Sequence, residues 1–134
     1  MSATGPKTRV RARRVTPAPR DSLEAVRAAL RRFASARDWD QFHLPKNLAM
    51  ALSVEAAELL EHFQWLPDAA SDALTPSKRV QVAEEMADVL LYLVRLADRL
   101  DIDLLAAARR KIRLNSRKYP VAKARGNSRK YTEL

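Results

Sequence analysis

A chain of 134 residues with 47% apolar side chains and two glycines can bury one domain's core, and its wealth of Ala, Leu, Arg and Glu favours helix over sheet. The lack of cysteine excludes disulfides, thiolate zinc sites and cysteine nucleophiles, and fits a reducing compartment. The net charge of +9 averages over unlike parts: residues 1–20 hold six Lys/Arg and no acid, residues 109–134 hold ten against Glu133, and the 88 residues between carry nine basic and fifteen acidic side chains. An acidic middle with basic ends suits a metal and an anionic ligand better than it suits wrapping of duplex DNA.

Residues 1–19 are rich in Pro and Arg without periodicity and read as a disordered basic tail, serving solubility or transient nucleic-acid contact. Arg13-Arg14 is not followed by the apolar core of an export signal, and no apolar run reaches the roughly 18–20 residues of a membrane span. The expectation is a soluble, cytoplasmic protein. A first helix is predicted from a cap at Asp21, with Glu24 three residues on, to about Ala36, its buried stripe being Leu23, Val26, Ala29, Leu30 and Phe33. A polar and aromatic connector, Arg37 to His43, precedes Pro45, which opens a second helix running to about Trp65 with Leu48, Leu52, Leu59 and Phe63 buried.

Residues 67–74 have loop composition, and Thr75-Pro76 is a cap followed by proline at the first helical position of a third helix ending near Leu100. Its expected core stripe is Met86, Val89, Leu90, Leu93 and Ala97. A fourth helix begins near Asp101 or Asp103 and stops near Lys118, before Pro120. The reading is all-α: an antiparallel four-helix bundle over residues 20–120, and a basic C-terminal arm, 121–134, lying on a surface or a neighbouring subunit.

The chemistry lies in two carboxylate pairs, Glu55 with Glu58 and Glu85 with Asp88, each spaced i, i+3 and so on one face of its helix. A single pair of this kind arises readily on a solvated face, since Glu is a good helix former. Asp88 argues against chance, because Asp is a poor interior helix residue and this one directly precedes the apolar run Val89 to Val94. Facing acidic clamps repel one another unless a cation or protons intervene. Oxygen donors without Cys or a His pair point to Mg²⁺, or Mn²⁺ in its place, rather than zinc, and Mg²⁺ completes its shell with water and substrate phosphates.

The chain resembles the all-α nucleoside triphosphate pyrophosphohydrolases of the MazG-like superfamily, whose signature is Glu-x-x-Glu on one helix and Glu-x-x-Asp on the next. Within that group it is most similar to the dCTP pyrophosphatase branch, through Arg37-Asp38-Trp39-Asp40-Gln41-Phe42-His43, Phe63-Gln64-Trp65, Asp88-Val89-Leu90-Leu91-Tyr92-Leu93-Val94, Asn115-Ser116-Arg117-Lys118-Tyr119-Pro120 and the terminal Ser128 to Leu134. The resemblance covers roughly residues 21 to 134. It implies that Glu55, Glu58, Glu85 and Asp88 hold magnesium and carry out catalysis, that Trp39, Asp40, Gln41, Phe42, His43, Trp65 and Tyr92 hold the nucleotide, and that the chain assembles as a homo-oligomer, commonly a tetramer. The implied reaction is hydrolysis of dCTP, or modified dCTPs, between the α- and β-phosphates to clean or balance the nucleotide pool.

Lys111 and Asn115, spaced i, i+4 on the fourth helix, are candidates for phosphate contact. Two positions depart from the pattern: Val54 stands where the wider superfamily often has a further acid, and Leu30 where animal dCTP pyrophosphatases have a substrate-contacting histidine. The alternatives are a relative acting on another nucleoside triphosphate, and a non-catalytic helical protein that binds nucleic acid through its basic ends.

Overall fold

The computed structural model describes residues 22–134; the expected basic tail 1–19, and Asp21 with it, lie outside the described residues. Those residues are helical: α1 (Leu23–Ser35), α2 (Pro45–Glu61), α3 (Asp68–Ser71), α4 (Pro76–Arg99), α5 (Leu104–Lys118), α6 (Val121–Ala124) and a 3₁₀ turn, Tyr131–Glu133. Ser22 caps α1 by accepting from the Ala25 N–H at 3.1 Å, so Glu24 is free to pair with Arg27 instead of closing a capping box. Thr75 caps α4 through the Lys78 N–H, and Asp103 caps α5 through the Ala106 N–H at 2.9 Å. Pro45 and Pro76 each occupy a first turn, where a missing N–H costs nothing.

The helices chain together through sharp turns. Asp38 (φ 53°) and Asp101 (φ 53°) adopt the left-handed conformation that Asp tolerates better than most side chains, and they reverse the chain after α1 and α4 respectively. α2 ends at Glu61, four residues short of Trp65, and the expected loop 67–74 contains the single turn α3. The C-terminal arm folds back on the end of α5, where Tyr131 stacks edge-on against Tyr119 at 6.0 Å and Lys118 lies over the Tyr131 ring.

α4 is the centre of the packing, with α2 along one side of it and α1 along another. Leu48, Val82, Val94, Ala97 and Ala34 are buried. That core differs from the predicted stripes. Met86 and Leu90 are exposed, as is Phe33, and the buried positions of α4 are Val82, Val94, Arg95 and Ala97. The physical reason is that α4 is apolar on more than one side, so periodicity alone does not say which side meets its own chain. α5 carries no buried residue and does not close the bundle in the way the first three long helices do.

One polar knot fastens this arrangement. The Asp98 carboxylate, 3% exposed, accepts from Arg31 of α1 at 2.8 Å, from Arg27 of α1 at 3.3 Å and from Arg95 of its own helix at 3.2 Å. The hydrogen bond and charge of Arg31, then Arg27 and Arg95, hold its pKa below the ordinary 3.8 against the cost of burial. Its ionised form is therefore preferred in the fold, and its contribution is complete above pH 3.8 and lost as the pH falls towards the depressed value. Asp98→Asn is expected to cost about 3 kcal/mol in urea unfolding at neutral pH, since it leaves Arg95 buried beside a neutral partner. The gap between variant and wild type should close as the pH is lowered below 3.8.

Candidate active site

α2 and α4 run side by side and bring the two acid pairs together. Carboxylate oxygens of Glu55, Glu58 and Glu85 all lie within 4.8 Å of one another, the donor set and spacing that a hard divalent cation takes. Asp88 stands outside that tight group but close enough for its charge to act on Glu55. Glu55 and Glu85 are half-buried, while Glu58 and Asp88 are exposed, so Asp88 is not shielded as its place before the apolar run led one to expect.

The cluster is electrostatically uncompensated. Among the described residues no Lys or Arg forms an ion pair with Glu55, Glu58 or Glu85; the one basic neighbour is His62, whose Nε2 is 3.7 Å from Glu85 Oε1. Burial first, then the charges of Glu58, Asp88 and Glu85, push the Glu55 pKa above its usual 4.5. The three-carboxylate grouping thus fits a cation chemically, as ligand oxygens with no protein counter-charge of their own.

The connector is a built turn. Trp39 N–H returns to Ala34 O at 3.0 Å, His43 N–H to Trp39 O at 3.0 Å, and Asn47 caps the turn by donating to Phe42 O at 3.1 Å. Trp39 packs edge-on against Phe33 at 5.6 Å and lies 6.1 Å from the His43 ring. Gln41 donates to the Asp38 carbonyl and carboxylate, and Phe42 is exposed. Asp40, one of the expected nucleotide contacts, pairs its carboxylate with Arg95. Sequence reasoning missed Arg95 and Asp98. The available signal was an arginine inside the apolar run Leu90 to Ala97, a place where a charge needs partners.

Tyr92 is half-buried one helical turn beyond Asp88 on α4. Trp65 lies past the far end of α2 and is 86% exposed. The 17 residues of α2 separate it from the connector by about 25 Å, so one chain does not bring Trp39 and Trp65 together. Lys111 and Asn115 sit on the exposed α5, and among the described residues no hydrogen bond or ion pair joins them to the carboxylates. Leu30 is on the half-buried side of α1, and Val54 is exposed beside Glu55.

Comparison with known proteins gives these positions a context. The MazG-like family matches residues 50–134, which include both carboxylate pairs. The chain belongs to the MazG-like family. It is 47% identical over 118 residues to dCTP pyrophosphatase 1 of Homo sapiens, covering 87% of this chain and 69% of that protein, and 46% identical over 118 residues to the Rattus norvegicus protein of the same name. A pyrophosphatase from Archaeoglobus fulgidus, solved by crystallography, is 42% identical and superposes with a TM-score of 0.69 over 73% of this chain and 92% of that one. Within the matched stretch, Glu55, Glu58 and Glu85 are the acids whose carboxylates converge.

Because the raised Glu55 pKa makes its ionisation unfavourable to the fold, Glu55→Gln should raise the thermal midpoint of metal-free protein at neutral pH. The gain should shrink as the pH is lowered through the raised value towards 4.5, where the wild-type carboxyl takes up its proton. Differential scanning calorimetry in chelator across that range measures both effects.

Proposed function

We propose that this chain is a Mg²⁺-dependent pyrophosphohydrolase that cleaves dCTP, and modified dCTPs, between the α- and β-phosphates to give dCMP and pyrophosphate. The observation that carries the reading is the convergence of Glu55, Glu58 and Glu85 without a counter-charge. Similarity to dCTP pyrophosphatases supports the substrate class. Glu55, Glu58, Glu85 and Asp88 would hold the ion, with Mn²⁺ as a substitute. When bound, such an ion neutralises polyphosphate charge and lowers the pKa of coordinated water.

The chain's own residues divide the remaining work. Glu58, exposed at the edge of the cluster, is placed to accept a proton from an attacking water, and His62 steadies Glu85. Trp39, with His43 and Tyr92, offers a stacking wall and hydrogen-bond donors for the nucleoside. Trp65 joins them only from another copy of the chain, given its distance along α2, and Lys111 and Asn115 are phosphate candidates on the same footing. We read the working form as a homo-oligomer because the surface beside the acids is apolar, with Met50, Val54, Met86 and Leu90 all exposed in the single chain, and as a tetramer because the family resemblance implies one. The role is nucleotide-pool sanitation, in the cytoplasm; among the described residues no helix is long and apolar enough to cross a membrane.

Incubation with mixed nucleoside triphosphates, followed by mass spectrometry, should show dCMP and pyrophosphate rather than dCDP and phosphate, dependent on Mg²⁺ and abolished by chelation. Preference for another nucleotide in that panel would correct the substrate while keeping the reaction. Glu55→Gln and Asp88→Asn should each lower kcat by at least about a hundredfold with helicity retained by circular dichroism. Full turnover in either variant would refute the assigned acids.

A further inference from the structure

Arg95 is a buried charge that the carboxylate chemistry does not use. It is 5% exposed, and its guanidinium reaches three partners at once: Nε–H donates to His43 Nδ1 at 3.1 Å, one terminal amino group donates to Asp98 Oδ2 at 3.2 Å, and the other pairs with Asp40. A guanidinium has donors and no acceptor, and it stays protonated in proteins. The Nδ1 facing it must therefore present a lone pair, which places the single proton of a neutral imidazole on Nε2, across the ring from Arg95.

We propose that Arg95 is a positioning residue of the nucleotide site, fixing His43 as the Nε2–H tautomer and clamping the connector so that this donor and the Trp39 ring meet the ligand together. This rests on the reading of the site as one for a nucleotide. The chemistry it supplies is an oriented N–H for an acceptor oxygen, such as a pyrimidine carbonyl, beside a ring on which the base can stack. Trp39 and His43 lie 6.1 Å apart with their planes tilted by 60°, so the two groups share one small region.

The fold supports this role over a purely packing one. An apolar residue at position 95 would bury as well at less desolvation cost. What it cannot do is hold a connector acid and set an imidazole's proton. Asp98, itself anchored by Arg27 and Arg31 of α1, fixes the guanidinium from the other side, so the orientation of His43 is referred back to two helices. Burial and then the Arg95 charge, outweighing Asp40, also disfavour protonation of His43. About 10 Å of helix separates Arg95 from Asp88, a reach that a nucleoside with its phosphates can bridge.

The test uses the full chain, uniformly ¹⁵N-labelled, which contains two histidines, and assigns His43 by its loss in His43→Gln. Long-range ¹H–¹⁵N spectra near neutral pH should show the Nε2–H pattern for His43 in the wild type, and a mixture of tautomers in Arg95→Lys, which keeps a charge but has no Nε donor. With dCTP, Arg95→Lys should raise KM about tenfold while kcat stays within about twofold, and it should add no further rise in KM in a His43→Gln background. An Nδ1–H or imidazolium pattern in the wild type overturns the proposal, whether or not any variant folds. So does an additive effect of the two substitutions, which is what a packing role predicts. If no nucleotide is hydrolysed, the functional reading fails, and the wild-type spectrum still decides the tautomer.

Discussion

The buried pairing of Asp98 with three arginines is the interaction on which the rest of the chain is arranged. It joins α1 to α4 and, through Arg95, draws the connector onto the end of α4. Burying the two charges of Asp98 and Arg95 is costly unless both are partnered, and the more exposed Arg27 and Arg31 complete the set. Here the partners come from three separate segments, so the ionic contacts form only when those segments are in their final places. The cost of desolvation becomes a condition on geometry.

The same helix carries the opposite case. About three and a half turns before Asp98, Glu85 meets Glu55 and Glu58 of α2, and among the described residues no arginine or lysine is paired with this group. The two environments move carboxylates in opposite directions, Asp98 down and Glu55 up. A protein that can saturate one buried acid with three cations and leaves another acid group bare is not short of arginine. The contrast separates an acid partnered in the fold from an acid group left without a counter-charge, and α4 carries a member of each, Asp98 and Glu85.

The elements were readable from local chemistry. Pro45, Thr75-Pro76, Asp103 and Pro120 bound the long helices as capping and proline rules require, and the i, i+3 spacing of the acids is a property of each helix alone. Contacts between distant segments were not readable. Met86 and Leu90 look like core because α4 is apolar on more than one side, and choosing the side requires knowledge of what covers it. Nothing local to Asp40 foretells that its carboxylate pairs with Arg95, 55 positions along the chain. The family signature located Glu55, Glu58, Glu85 and Asp88 by pattern; only the packing of α2 on α4 shows which three converge.

On the proposed reading, in which one nucleotide site uses both tryptophans, their placement at opposite ends of α2 has a stoichiometric consequence. No rotation of side chains can bring them together across a rigid rod about 25 Å long. Laying a second copy of the rod alongside in the reverse direction sets each end beside its unlike counterpart, and a two-fold axis does so at both ends in one step. Composite sites made this way arise in pairs, one for every subunit, and only an even number of subunits leaves none half-built.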